Sequence, residues 1–223
     1  MSYACLYSGG KDSTLALHRA VAMGIRIDLL ITVISRNAHS YMFHYPNVQF
    51  TALQAEALGM RQVFAETEGK KEEELADIER ALKENGVEVL VTGATYSRYQ
   101  GDRINNIAKK LGIEHIAPLW HIDPLGELNE LDRDFNAIIT SVSAEGLGED
   151  LLGRRIDQEV ITELQEANRK HGINMLFEGG EAESFVLDAP LFRKRIEVLK
   201  AETGWNGVTG TYAIKEARLV GKR

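Results

Sequence analysis

One cysteine, Cys5, stands in 223 residues, and it lies inside the first apolar run. A lone cysteine so placed is a small buried hydrophobe, so there is no disulfide framework, no thiol chemistry and no glutaminase of the cysteine type. Long apolar runs are missing too: nothing approaches the roughly 20 residues that cross a bilayer. With no signal peptide at its start, the chain is expected in the cytoplasm and away from membranes. The six histidines have no cysteine or carboxylate beside them at metal-ligand spacing, which leaves zinc without a site. Basic charge is in deficit, the net charge being −7. A nucleic-acid binder would carry a basic stripe, so nucleic acid is not an expected partner, although an acidic protein can still hold a nucleotide locally.

What is present is ordinary for a soluble globular protein, 44% apolar and 26% charged. The length allows one large domain or two small ones with proper cores. One stretch organises the rest: Ser8, Gly9, Gly10, Lys11, Asp12 and Ser13. A short apolar run, residues 3–7, leads into it as a strand, and an amphipathic segment, residues 13–23, leads out as a helix stopped by Gly24. Adjacent glycines let the backbone turn with its amides inward, and the helix start adds unpaired N–H groups and a positive dipole end. Placed after the first strand of an α/β pattern, this reads as an anion cradle rather than a plain polar turn. A Walker A loop would need Lys followed directly by Ser or Thr, and here Asp12 intervenes. A carboxylate beside phosphates repels them unless a divalent cation lies between, so Lys11 is assigned to phosphate and Asp12 to Mg2+.

Apolar β-rich runs at 26–35, 61–65, 87–92 and 114–117 alternate with helical patterns at 48–58, 70–85 and from Asp102, each helix closed by glycine. Five strands alternating with four helices give a doubly wound parallel sheet. Ligands bind beyond the carboxyl ends of such strands, where the loops at residues 35–47 and 93–101 join the Ser8 loop. Ser35 and Gly93 are there expected to line a nucleoside pocket through their main chain. From about Trp120 the rhythm changes, with Pro and Gly breaking residues 121–126 before a short acidic helix at 127–131, to a smaller mixed α+β unit, so domains of 1–120 and 121–223 are expected. In the second unit, Glu178, Glu181 and Glu183 flank Gly179 and Gly180 directly after an apolar segment at 174–177, read as the end of a strand. They are either solvated acids around a hairpin or bulge, or a site for a cation and its proton, with Glu181 and Glu183 on one face of an extended segment.

The Ser8 loop resembles the PP-loop of the ATP pyrophosphatases. With it, the blocks Ser40-Tyr41-Met42-Phe43-His44, Ser97-Arg98-Tyr99-Gln100, Pro118-Leu119-Trp120, Ala144-Glu145-Gly146-Leu147, Glu178-Gly179-Gly180-Glu181 and Leu187-Asp188-Ala189-Pro190-Leu191-Phe192 run in the order of the diphthine ammonia ligase family, which the chain resembles over nearly its whole length. The resemblance implies ATP and Mg2+, an acyl-adenylate of diphthine on translation elongation factor two, and ammonium as nitrogen donor, with AMP and pyrophosphate released. It implies catalytic roles for Lys11, Asp12, Glu178, Glu181 and Glu183. Ser8, Gly9, Gly10, Lys11, Ser13, Ser35 and Gly93 would bind nucleotide, Asp12 the metal, and Tyr41, His44, Tyr99 and Gln100 the acyl substrate. Two alternatives stand beside it: a tRNA-modifying enzyme of thiolation or lysidine type, and a non-catalytic adenine nucleotide-binding regulator. A homodimer is compatible with the sequence.

Overall fold

The computed structural model describes residues 2–35, 47–67, 73–95 and 98–222, with the backbone alone at 73 and 98–101. The expected parallel sheet is present, in the order β3-β2-β1-β4-β5. Its strands are β1 (Ser2–Leu6), β2 (Leu29–Ser35), β3 (Arg61–Thr67), β4 (Val87–Val91) and β5 (Glu114–Ile116), all paired in parallel. The helices α1 (Lys11–Ala22), α2 (Thr51–Leu58), α3 (Glu73–Glu84) and α4 (Arg98–Leu111) connect them. Because β1 pairs with both β2 and β4, the chain winds outward in two directions from β1. The crevice at this switch point is where the fold places a ligand. Leu29, Leu30, Ile31 and Leu90 are almost fully buried, as the near-continuous apolar runs require of strands covered on both faces.

The second sheet is antiparallel, in the order β7-β6-β9-β8: β6 (Asn136–Val142), β7 (Ala182–Asp188), β8 (Lys194–Trp205) and β9 (Gly210–Gly221). Two helices accompany it, α5 (Pro124–Asp134) and α6 (Gln158–His171). The Asp157 carboxylate accepts from the Glu159 and Val160 amides at the start of α6, and Gly172, at φ +72°, ends it. The apolar core is shared: Cys5, Leu15 and Val91 belong to one buried cluster with Leu128, Val160 and Val186. Asn47 ties the halves further, since its amide donates to the Tyr212 carbonyl and its oxygen accepts from the Ile214 amide. Among the described residues no helix is long and apolar enough to cross a membrane.

Three local expectations change. Residues 174–177 form a turn, not a strand; the Asn174 side chain accepts from the Leu176 amide, and the Phe177 amide donates to the Asn174 carbonyl. The helix expected at 127–131 begins at Pro124 because Asp123 caps it through the Gly126 amide and Pro124 fits the first helical position. The helix expected from Asp102 starts at Arg98, which moves the backbone of Tyr99 and Gln100 from the loop into its first turn.

Candidate active site

Between β1 and α1 the loop turns on Gly9, whose φ of +81° a side chain would strain. Gly10 is the N-cap of α1, with no side chain capping it. The Ser8 and Ser13 hydroxyls are 3.2 Å apart, and the Ser13 and Thr14 hydroxyls both donate to the Gly10 carbonyl. The loop after β4 closes on this turn at bare-backbone range: a Cβ on Gly93 would lie 2.7 Å from Asp12 C and Ser13 N. Gly93 is therefore a packing glycine at the crevice. A helix start whose N-cap residue has no side chain, two bare glycines and a buried lysine are the parts a polyphosphate needs.

Lys11 is 1% exposed, an unusual burial for an ammonium group. It pairs with Asp12 and lies 3.5 Å from Glu127 of α5, while the Phe177 ring centroid is 5.5 Å from Nζ. Burial alone would lower its pKa, but Asp12, Glu127 and Glu178 outweigh that and hold it above the usual lysine value. Glu127 is fully buried, and neither of its oxygens has a hydrogen-bond partner, so the 3.5 Å contact is an ion-pair distance only. Burial pushes Glu127 up to about 8; Lys11 opposes the shift and Asp12 adds to it.

The second half also supplies β7, which lies against the loop. The Lys11 amide donates to Ser184 Oγ at 3.1 Å, and the Val186 amide donates to the Gly9 carbonyl at 2.9 Å. Here the three acids of the glycine-flanked motif part company. Glu178 accepts from the Thr95 hydroxyl and is within electrostatic reach of Lys11. Burial raises Glu183 to about 7, with Asp12 adding and Lys11 opposing. Glu181 turns the other way: its two oxygens accept from the Asn174 and Gly179 amides at 2.9 and 2.8 Å, which staples its own turn. It precedes β7 and shares no strand face with Glu183. Phe177, at φ +66°, makes the left-handed bend that sets Glu178 toward Thr95.

The remaining expected site residues are scattered. Ser35 ends β2 at the same sheet edge, paired in register with Thr67. Tyr41 and His44 lie outside the described residues, and Tyr99 and Gln100 are placed by their α4 backbone alone. Cys5 is buried, and its thiol is pushed up to about 12 by that burial, in line with its reading as a hydrophobe. Among the described residues no three His, Cys, Asp or Glu side chains are grouped to hold a metal ion. Asp12, with its side chain 32% exposed, is a carboxylate that could share a magnesium ion with phosphates, a mode this ion commonly adopts. Glu127 and Thr95 join the site from outside any motif, and Ser184, the last residue of the stretch that begins at Glu178, joins it through its hydroxyl. A lone acid on an acidic helix and one threonine hydroxyl carry no sequence signal, because only tertiary packing gives them their neighbours.

The Diphthamide synthase N-terminal domain matches residues 1–115 of this chain, and the Diphthamide synthase C-terminal domain matches residues 123–220. A diphthine–ammonia ligase of Homo sapiens is 34% identical over 226 residues, spanning 91% of this chain and 84% of that one. That of Rattus norvegicus is 32% identical over 245 residues, spanning 99% and 91%. Among solved structures, a predicted subunit of tRNA methyltransferase from Methanocaldococcus jannaschii aligns with 85% of this chain and 98% of its own, at 18% identity and a TM-score of 0.48. With both halves matched and relatives above 30% identity running nearly end to end, this chain, built on a buried lysine in a glycine turn, is an enzyme and belongs to the diphthamide synthase family of ligases.

Proposed function

We propose that the chain amidates diphthine on translation elongation factor two, using ATP to activate the diphthine carboxylate as an acyl-adenylate and free ammonium as nitrogen donor. The observation that supports this most is the meeting of two chemistries at one crevice: the lysine-bearing glycine turn of β1–α1 and the carboxylates Glu178 and Glu183 carried to it by the second half.

In this reading the loop amides, the Ser8 and Ser13 hydroxyls and the Lys11 ammonium group hold the β and γ phosphates, so that negative charge developing on the departing pyrophosphate meets fixed positive dipoles. Asp12 would hold magnesium, which when bound would supply further charge neutralisation on the polyphosphate. The diphthine carboxylate oxygen attacks the α-phosphorus, the α–β bridge breaks, and pyrophosphate leaves with the bond's electron pair. Glu178 and Glu183 bind ammonium and take its proton; a carboxyl that titrates near 7 is suited to that exchange at neutral pH. The freed nitrogen lone pair attacks the acyl carbon, the carbon–oxygen bond to AMP breaks, and the amide loses its surplus proton. No glutaminase is required, in keeping with a single cysteine that is buried.

The test is a reconstituted reaction. Pyrophosphate release should require the diphthine-bearing elongation factor, and sustained conversion of ATP to AMP should require ammonium as well, with the factor gaining an amide. Turnover to ADP, or AMP release with glutamine and never with ammonium, would falsify the reading.

A further inference from the structure

We propose that Gln54, which belongs to none of the sequence motifs, is a positioning residue of the nucleotide loop. It turns the Gly9–Gly10 peptide so that the Gly10 N–H faces the polyphosphate, and it ties that peptide to β7. This inference rests on the nucleotide site proposed above.

Gln54 lies on the buried face of α2 and is fully buried. Its Nε2 donates to the Gly9 carbonyl at 2.9 Å and to the Val186 carbonyl at 2.7 Å. The Gly9 carbonyl also accepts from the Val186 amide at 2.9 Å, so two donors hold it on the protein side. In a planar trans peptide the next N–H points opposite to the carbonyl. The Gly10 N–H is thereby directed away from Gln54, toward the Ser8 hydroxyl. That contact is 3.4 Å, long for an N–H donor, and so is readily exchanged for a charged acceptor.

The fit is mutual. A Cβ on Gly9 would lie 2.3 Å from Gln54 Oε1 and 2.8 Å from a Thr51 methyl carbon, so the loop accepts this glutamine only because residue 9 is bare. The same Oε1 is buried without a hydrogen-bond partner. An apolar side chain of this length would fill the space without that standing cost, so packing alone does not account for an amide here. What the amide supplies is the double donor. Since Val186 shares β7 with Ser184 and Glu183, the same two hydrogen bonds fix the spacing between the phosphate cradle and the acid beside it.

The experiment is calorimetric binding of ATP, pyrophosphate and AMP, with magnesium, to the wild type and to Gln54→Met, which keeps the length and removes the donor. The expected result is weaker ATP and pyrophosphate binding by about tenfold or more, with AMP binding unchanged, because the peptide serves only the outer phosphates. Equal loss for all three ligands would mean a merely structural glutamine, and unchanged ATP binding would mean none of this role; either overturns the proposal. Should Gln54→Met not fold, the wild type carries the test. With nitrogen-15 glycine, the Gly10 amide resonance should move on adding pyrophosphate and stay on adding AMP, and a stationary resonance while pyrophosphate binds overturns the proposal. A wild type that binds neither ATP nor pyrophosphate refutes the nucleotide site itself, and this inference with it.

Discussion

The two glycine pairs of this chain, Gly9-Gly10 and Gly179-Gly180, look alike in sequence and behave differently. Around the first, neighbouring groups converge: Gln54, Val186 and Ser184 all reach it from other elements, and Lys11 is folded inward beneath it. Around the second, neighbouring groups diverge, one acid to Thr95, one to its own turn and one to the interior. The difference lies in backbone geometry. A glycine turn feeding a helix start presents successive amides to one point. The second pair lies in a turn ahead of β7, so Glu178 and Glu181 take separate turn positions and only Glu183 stands on the strand.

The sharpest way to break the comparison is Asp12→Asn. As the proposed magnesium ligand, Asp12 should cost AMP formation on the order of 100- to 1000-fold when replaced, and the thermal midpoint should fall too because buried Lys11 loses its paired carboxylate. Near-normal AMP release, measured by chromatography of the nucleotides, would remove Asp12 from the chemistry.

The divergent turn predicts opposite outcomes for neighbouring acids. Glu183→Gln should lose amide formation by about 100-fold while folding normally. Glu181→Gln should lose about 1.5–3 kcal/mol in urea unfolding, through its two backbone bonds, and keep its turnover at low temperature. If the two variants behave alike, the three acids act as one cluster and the contrast fails.

The mildest expected effect is on stability against pH in the nucleotide-free protein. Folding raises Glu127 to about 8 and Glu183 to about 7, from 4.5. Both therefore hold protons more tightly folded than unfolded. Their contribution is complete below about pH 4.5 and is lost as pH rises through about 7 and then about 8. The thermal midpoint should fall between pH 5 and 9, and Glu127→Gln should flatten part of that fall; a midpoint that rises over this range contradicts the assignment.

Much of the first half was legible because its signals are local: apolar runs for strands and glycine after each helix, as at Gly59 and Gly112, both in the left-handed region. The errors fell where one signal has two meanings. Pro124 reads as a breaker but begins α5, and the apolar side chains at 174–177 line a turn. The glycine turn between β1 and α1 was legible as a motif, whereas the fate of each acid was not, since it depends on which amides lie nearby in space. Gln54 did leave a trace, as a long polar residue on a helix face otherwise made of Thr51, Ala55 and Leu58. Glu127 left none, one acid among several on α5.

The central claim is that the diphthine carboxylate itself attacks the α-phosphorus at the Ser8–Ser13 turn. Elongation factor whose diphthine carboxylate carries oxygen-18 tests it directly, with the nucleotide products weighed by mass spectrometry. One labelled oxygen should appear in AMP for each amide formed. Label in inorganic phosphate, with ADP as the nucleotide product, would mean attack at the γ-phosphorus and would contradict the account.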